Sequence, residues 1–128
     1  MTSVWQQWLE SWLEQIDLMP DNEIVVDQFC VKTDKGQQYV LENCIDHVML
    51  SLRLPLGGYQ DAAYAKRLLQ LADPQALAPY PIRLGLDASQ YCIVALRFDY
   101  EHHTPDDLKL GFDQLFSVCE ELDTMSND

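Results

Sequence analysis

The chain has 128 residues, 48% of them hydrophobic, enough for a single domain (1–128) that buries roughly two-thirds of its unfolded surface without metal or disulfide. Twenty-one acidic residues against eight Lys and Arg give a formal net charge of −13, which argues against nucleic acid and against anionic membrane surfaces. No apolar run reaches the ~20 residues of a membrane span, and no basic n-region marks a signal peptide, so a cytoplasmic protein is expected. The four cysteines, Cys30, Cys44, Cys92 and Cys119, lack C-x-x-C spacing and read as free buried thiols in a reducing compartment.

Val4, Trp5, Trp8, Leu9, Trp12, Leu13 and Ile16 recur at helical spacing, with Thr2 or Ser3 as cap and Pro20 as stop. Their apolar arc approaches half the circumference, wider than one contact needs. Three Trp rings carry on the order of 600 Å² of buriable surface, as much as the largest apolar patch of a typical monomer. The rings belong in the core or under a partner, and the width of the arc favours at least one ring at a binding surface.

Three strands follow. Glu23 to Lys32 alternates Val25, Asp27, Phe29 and Val31 against Ile24, Val26, Gln28 and Cys30. Thr33 to Gln37 is a hairpin turn, with Gly36 free to take a positive φ. Gln38 to Cys44 is the second strand. In the third, Asp46 to Leu56, a ladder of Val48, Leu50, Leu52, Leu54 and Leu56 marks one buried face. After a break at Pro55 to Asp61, Ala62, Ala65, Leu68, Leu69 and Ala72 mark a second helix, widened by Tyr64 and Leu71. Pro74, Pro79 and Pro81 exclude regular structure in the linker. Ile82 to Leu86 is a fourth strand.

The fifth strand lies within Ser89–Glu101. It places Cys92, Val94, Leu96, Phe98 and Tyr100 on one face, and Tyr91, Ile93, Ala95, Arg97 and Asp99 on the other. Its first half is apolar on both sides, so something must cover the second side. A last helix starts at Thr104-Pro105-Asp106-Asp107, with Asp107 at capping-box spacing, and carries Leu108, Phe112, Leu115, Phe116, Cys119 and Leu122 as its stripe. Thr124 to Asp128 is expected to fray. The order α-β-β-β-α-β-β-α with short connections predicts an α+β fold, an antiparallel twisted sheet flanked by helices.

Catalytic signatures are missing: there is no G-x-S-x-G, P-loop or dinucleotide fingerprint. His102 and His103 are the only adjacent histidines and lack a third spaced ligand, so a solvated loop is the better reading. His47 reads as a surface or interface residue. No metal, cofactor or enzymatic activity is expected.

The N-terminal amphipathic helix, "LRLPLG", "AAYAKRLLQLA", "IRLGLDASQYCIVALRFDY" and "TPDDLKLGFDQLFSVCEEL" together resemble the class I chaperones of bacterial type III secretion. The resemblance covers Val4 to about Met125. It implies a cytosolic homodimer, or in some cases a heterodimer with a related chaperone, joined through the second helix and a nearby strand. It also implies a client: the N-terminal segment of a secreted effector, bound in extended form and kept fit for secretion, with no nucleotide or cofactor. By the same resemblance, effector contacts fall on Trp5, Trp8, Trp12, Phe29, Val31, Tyr91 and Ile93, and dimer contacts on Tyr64, Leu68 and Leu71. A regulator or adaptor on the same fold is the alternative, and a small enzyme using an acidic pocket or the His pair is the third reading.

Overall fold

In the computed structural model, residues 3–16, 27–33, 36–55, 61–73, 79–86 and 91–126 are described, with backbone alone at 55, 61–65, 86 and 123–126. The elements follow the expected order: α1 (Val4–Gln15), β1 (Gln28–Lys32), β2 (Gln38–Asn43), β3 (His47–Pro55), α2 (Asp61–Leu71), β4 (Arg83–Leu86), β5 (Tyr91–Asp99) and α3 (Pro105–Ser126). The strands form one antiparallel sheet in the order β1-β2-β3-β5-β4. The α2–β4 connection lets β5 return beside β3, and β1 and β4 are the two edges. The start expected for the first strand, at Glu23, lies outside the described residues, as do the Asp87–Gln90 turn and most of the break at 56–60.

Strand register fixes the core. Val48 stands opposite Phe98, Leu50 opposite Leu96, Leu52 opposite Val94 and Leu54 opposite Cys92. Tyr39 and Leu41 of β2 extend the same face, and Phe29 and Val31 of β1 complete it. Both α1 and α3 pack on this inner face: Trp8 lies against Phe98, and Trp12 against Phe29 and Phe112. Ser3 and Gln6 close a reciprocal capping box, each side chain bonded to the other's backbone N–H at 3.1 Å. The first helix runs from that box to Gln15, where Ile16 caps it with its N–H on Trp12 C=O.

The last helix keeps its form through Ser126, where fraying was expected from Thr124. Buried Leu115, Cys119 and Leu122 anchor its second half. Gly111 sits where this helix crosses β5. A Cβ there would overlap the Phe98 ring and come within 3.1 Å of Leu96 Cδ1. Phe98 cannot swing aside, because Trp8, Tyr80 and His103 hold it from three directions. Gly111→Ala should gain ~1 kcal/mol of helix propensity yet destabilise the protein by about 1–3 kcal/mol net of it, read as a lower urea midpoint.

Candidate functional site

Two surfaces qualify, on opposite faces of the sheet. The first is the β1 edge with the aromatic side chains beside it. Asn43 N–H donates to Asp27 C=O at 2.7 Å, and Thr33 N–H to Gln37 C=O at 2.9 Å. Antiparallel pairing alternates, so Phe29 and Val31 also turn their backbone groups toward β2. Gln28, Cys30 and Lys32 then direct N–H and C=O outward, away from the sheet, where no described strand pairs with them. An edge of this kind is a template for one more strand.

Aromatic side chains line the inner side of that edge. The Trp12 ring meets Phe29 edge-on at 6.4 Å and Phe112 at 6.0 Å, Tyr39 lies 5.0 Å from Phe112, and Phe112 is 6.3 Å from Phe116. Burial falls off along this series: Trp12 is closed off, Phe29, Val31 and Phe112 are half-buried, and Phe116 is 48% exposed. The Trp12 indole N–H is buried with no acceptor among the described residues. Apolar contact and open main-chain bonding thus sit side by side. Trp12, Phe29 and Val31 are among the residues that the resemblance assigns to client contacts. Spacing places Phe112 and Phe116 in the core stripe of the last helix, with Phe116 at the edge of that stripe.

The expectation of an exposed Trp ring is not met. Trp5, Trp8 and Trp12 are 6%, 3% and 0% exposed. Apart from half-exposed Val4, the wide arc of α1 is used up within the chain, because this helix faces the sheet on one side and α3 on the other. Trp8 and Trp12 shape the site from beneath.

The second surface is the outer face of the sheet, which carries Tyr91 and Ile93. These two residues therefore cannot share one patch with Phe29 and Val31. Arg53 lies over Tyr91, its guanidinium carbon 4.9 Å from the ring centroid, and donates to Gln38 Oε1 at 3.3 Å. Part of the cover sought for β5 is thus intramolecular: Arg53 shields Tyr91, and Ala95 is buried among its neighbours.

Of the residues assigned to a dimer seam, Leu68 is 4% exposed and belongs to the chain's own core, and Leu71 packs half-buried against that core. The Tyr64 side chain lies outside the described residues. Arg67 fastens α2 to α3 through Glu121, with Nη2 and Nε at 2.6 and 2.8 Å from one carboxylate oxygen. Among the described side chains of this helix, Leu69 is the exposed large apolar one.

The histidines part company. His102 is exposed, whereas His103 packs against Phe98 and Tyr80 and accepts the Asp99 N–H on Nδ1 at 3.0 Å. His47 is bonded to Asp46 at 2.6 Å. Among the described residues no group of three or more His, Cys, Asp or Glu could hold a metal, and no helix is long and apolar enough to cross a membrane. Cys92 and Cys119 are buried as expected, but Cys30 is exposed on the outer face of an edge strand and Cys44 is half-buried.

Asp107 shows what the ionised groups near β5 do. It accepts the Tyr80 hydroxyl at 2.7 Å and the Thr104 N–H at 2.7 Å. The Tyr80 bond first, then the Thr104 N–H, holds its carboxyl below the usual carboxylate range, while burial, then the same Asp107 bond, pushes Tyr80 up to about 12. A depressed carboxyl stabilises the fold above its unfolded pKa of about 3.9 and ceases to do so as pH falls through the lower folded value. Melting temperature should therefore drop on acidification below about pH 4, and Asp107→Asn should flatten that slope.

No protein-family model matches the sequence, and no curated protein matches it. Solved structures do. One is in the heterodimeric ExoU–SpcU complex from the type III secretion system of Pseudomonas aeruginosa: TM-score 0.67 and 19% identity, over 94% of this chain and 95% of that one. A second is in the ExoT–SpcS complex of the same organism: TM-score 0.67 and 17% identity, over 94% and 98%. A third is the Yersinia pestis type III secretion chaperone SycH in complex with a fragment of YscM2: TM-score 0.57 and 16% identity, over 96% and 98%. The chain shares their fold over nearly its whole length.

Proposed function

We propose that the chain is a type III secretion chaperone that holds the N-terminal segment of a secreted effector unfolded along its β1 edge. The observation that carries this reading is the open strand edge with aromatic side chains beside it. Gln28, Cys30 and Lys32 offer outward backbone groups, while Phe29, Val31, Phe112 and Phe116 offer apolar purchase beside them. An unfolded segment pays ordering entropy on binding, so it needs both kinds of contact along its length. The shared fold agrees with this use, since the SycH structure is of a secretion chaperone with a bound fragment.

Several properties go with the proposal. The protein works in the bacterial cytoplasm by binding, without catalysis, metal or cofactor. Its net charge of −13 favours solubility and steers basic client segments inward. A homodimer, or a heterodimer with a related chaperone, is the working form. Leu69 on α2, exposed where Leu68 is buried, is the contact proposed for the partner.

The test is capture of the client in the bacterium that encodes the chain, followed by limited proteolysis of the complex. The expected result is a protected fragment from the client's N-terminal region that is degraded quickly when released. Retention of a stably folded domain instead would reject the chaperone reading in favour of an adaptor.

A further inference from the structure

The turn between β2 and β3 carries two local costs at one residue. Ile45 stands at φ +74°, a left-handed backbone that a β-branched side chain adopts only under strain. It is also 94% exposed, more than any other large apolar residue described, and takes no part in the core. Asp46 N–H donates back to Cys44 C=O at 2.9 Å, a γ-turn of the rare, strained hand. Glycine or asparagine would hold this turn without strain and without an apolar side chain in water. The fold fixes the turn from two directions: Cys44 N–H donates to His47 C=O at 2.8 Å, and Tyr100 N–H to Asp46 C=O at 3.1 Å. Strain that the surroundings hold in place is a pointer to function.

Beside Ile45 a cleft of about 430 Å³ opens between this turn and the end of β5, lined further by Asp46, Arg97, Asp99, Tyr100, Glu101 and His102. Three carboxylates face one guanidinium there. Arg97 is bonded to Asp99 at 2.9 Å and Asp46 to His47 at 2.6 Å, while Glu101 is exposed and has no ion pair among the described residues. The His47 bond holds the Asp46 carboxyl below the usual carboxylate range, and the Arg97 bond does the same for Asp99. The cleft therefore stays negative at neutral pH.

This is the end of the sheet at which β1 begins. Gln28 stands opposite Glu42, and side-chain bonds run on from Asp27 to Asn43 at 3.2 Å and from Asn43 to the Tyr100 hydroxyl at 2.8 Å. Only β2 and β3 separate β1 from β5. The span is roughly 15 Å, or about four or five residues of extended chain.

We propose that the client, beyond the stretch held on the β1 edge, crosses the end of the sheet and seats a basic side chain in this cleft, with an apolar neighbour on Ile45. The inference rests on the client reading above and adds to it a second contact and a sequence preference: Lys or Arg about four or five residues from the edge-bound stretch. Carboxylates alone would be a solvated rim. Ile45 adds apolar contact that the fold leaves unused, and the acids discriminate against an acidic segment.

The photocrosslinker p-benzoylphenylalanine would replace His102 in the cleft, Cys30 on the β1 edge or, as control, exposed Leu110 on α3, each in complex with the captured client. His102 should label a client stretch holding Lys or Arg, about four or five residues from the stretch that Cys30 labels, and Leu110 should label none. Label from Cys30 but not from His102 would overturn this inference and leave the client reading standing. Label from neither would overturn both. Label from His102 on a stretch without a basic residue would overturn the inference as well. Ile45→Gly separates contact from fold: the urea midpoint should stay at or above the parent's as strain is released, while client affinity falls about tenfold or more. A clear fall in the midpoint, or unchanged affinity, would overturn the proposal. Glu101→Lys should weaken the complex more at about 50 mM than at about 300 mM NaCl, and an unchanged or tighter complex would count against it equally.

Discussion

Leu68→Glu is expected to unfold the protein, not to divide an assembly. The side chain is 4% exposed and sits in the core with Ile82, Cys92 and Leu122 as fellow members. A carboxylate there has no cationic partner in the cluster, and a buried unpaired charge costs several kcal/mol. Domains of this size hold roughly 5–15 kcal/mol in all. Circular dichroism should show loss of the cooperative melt or a large fall in its midpoint. Leu69→Glu is the matched control: at 67% exposure it should leave the melt within about 0.5 kcal/mol of the parent and report on α2 as an interface through the mass in solution. A Leu68→Glu protein that melts like the parent and only loses mass would restore the seam expected from spacing.

The second large effect concerns client binding. Cys30 turns its N–H away from β2, so Cys30→Pro removes a donor that the sheet does not use, and edge strands tolerate proline at such positions. A client strand would lose a central main-chain bond and meet the ring. Phe116→Asp removes the most exposed of the aromatic side chains proposed to meet the client, and anchors of this type are worth about 2 kcal/mol or more, some 30-fold in affinity. Each variant should keep its melt while client affinity falls, and together they should abolish capture. Undiminished capture by the double variant would move the client elsewhere on the surface.

These two cases show where sequence and structure part. The β3 leucine ladder, the Thr104-Pro105 helix start and the apolar stripes set the element order, because period and capping are local properties. Burial of Trp5, Trp8 and Trp12 was not legible, since a wide arc looks the same whether a second neighbour belongs to the chain or to a partner. Here the second neighbour is α3, through Phe112. Leu68 posed the same ambiguity. The separation of Phe29 and Val31 from Tyr91 and Ile93 needed the register, which places the two pairs on opposite faces. Phe116 was visible as a residue but not as an opening, because its exposure depends on what α3 leaves uncovered.

The most direct measurement is backbone hydrogen exchange through β1, with and without the captured client segment. Phe29 and Val31 amides are already bonded to β2, so only Gln28, Cys30 and Lys32 have protection to gain. Slowed exchange at those three alternate amides on binding is the expected result. Unchanged exchange at all three in a saturated complex would contradict strand addition at this edge.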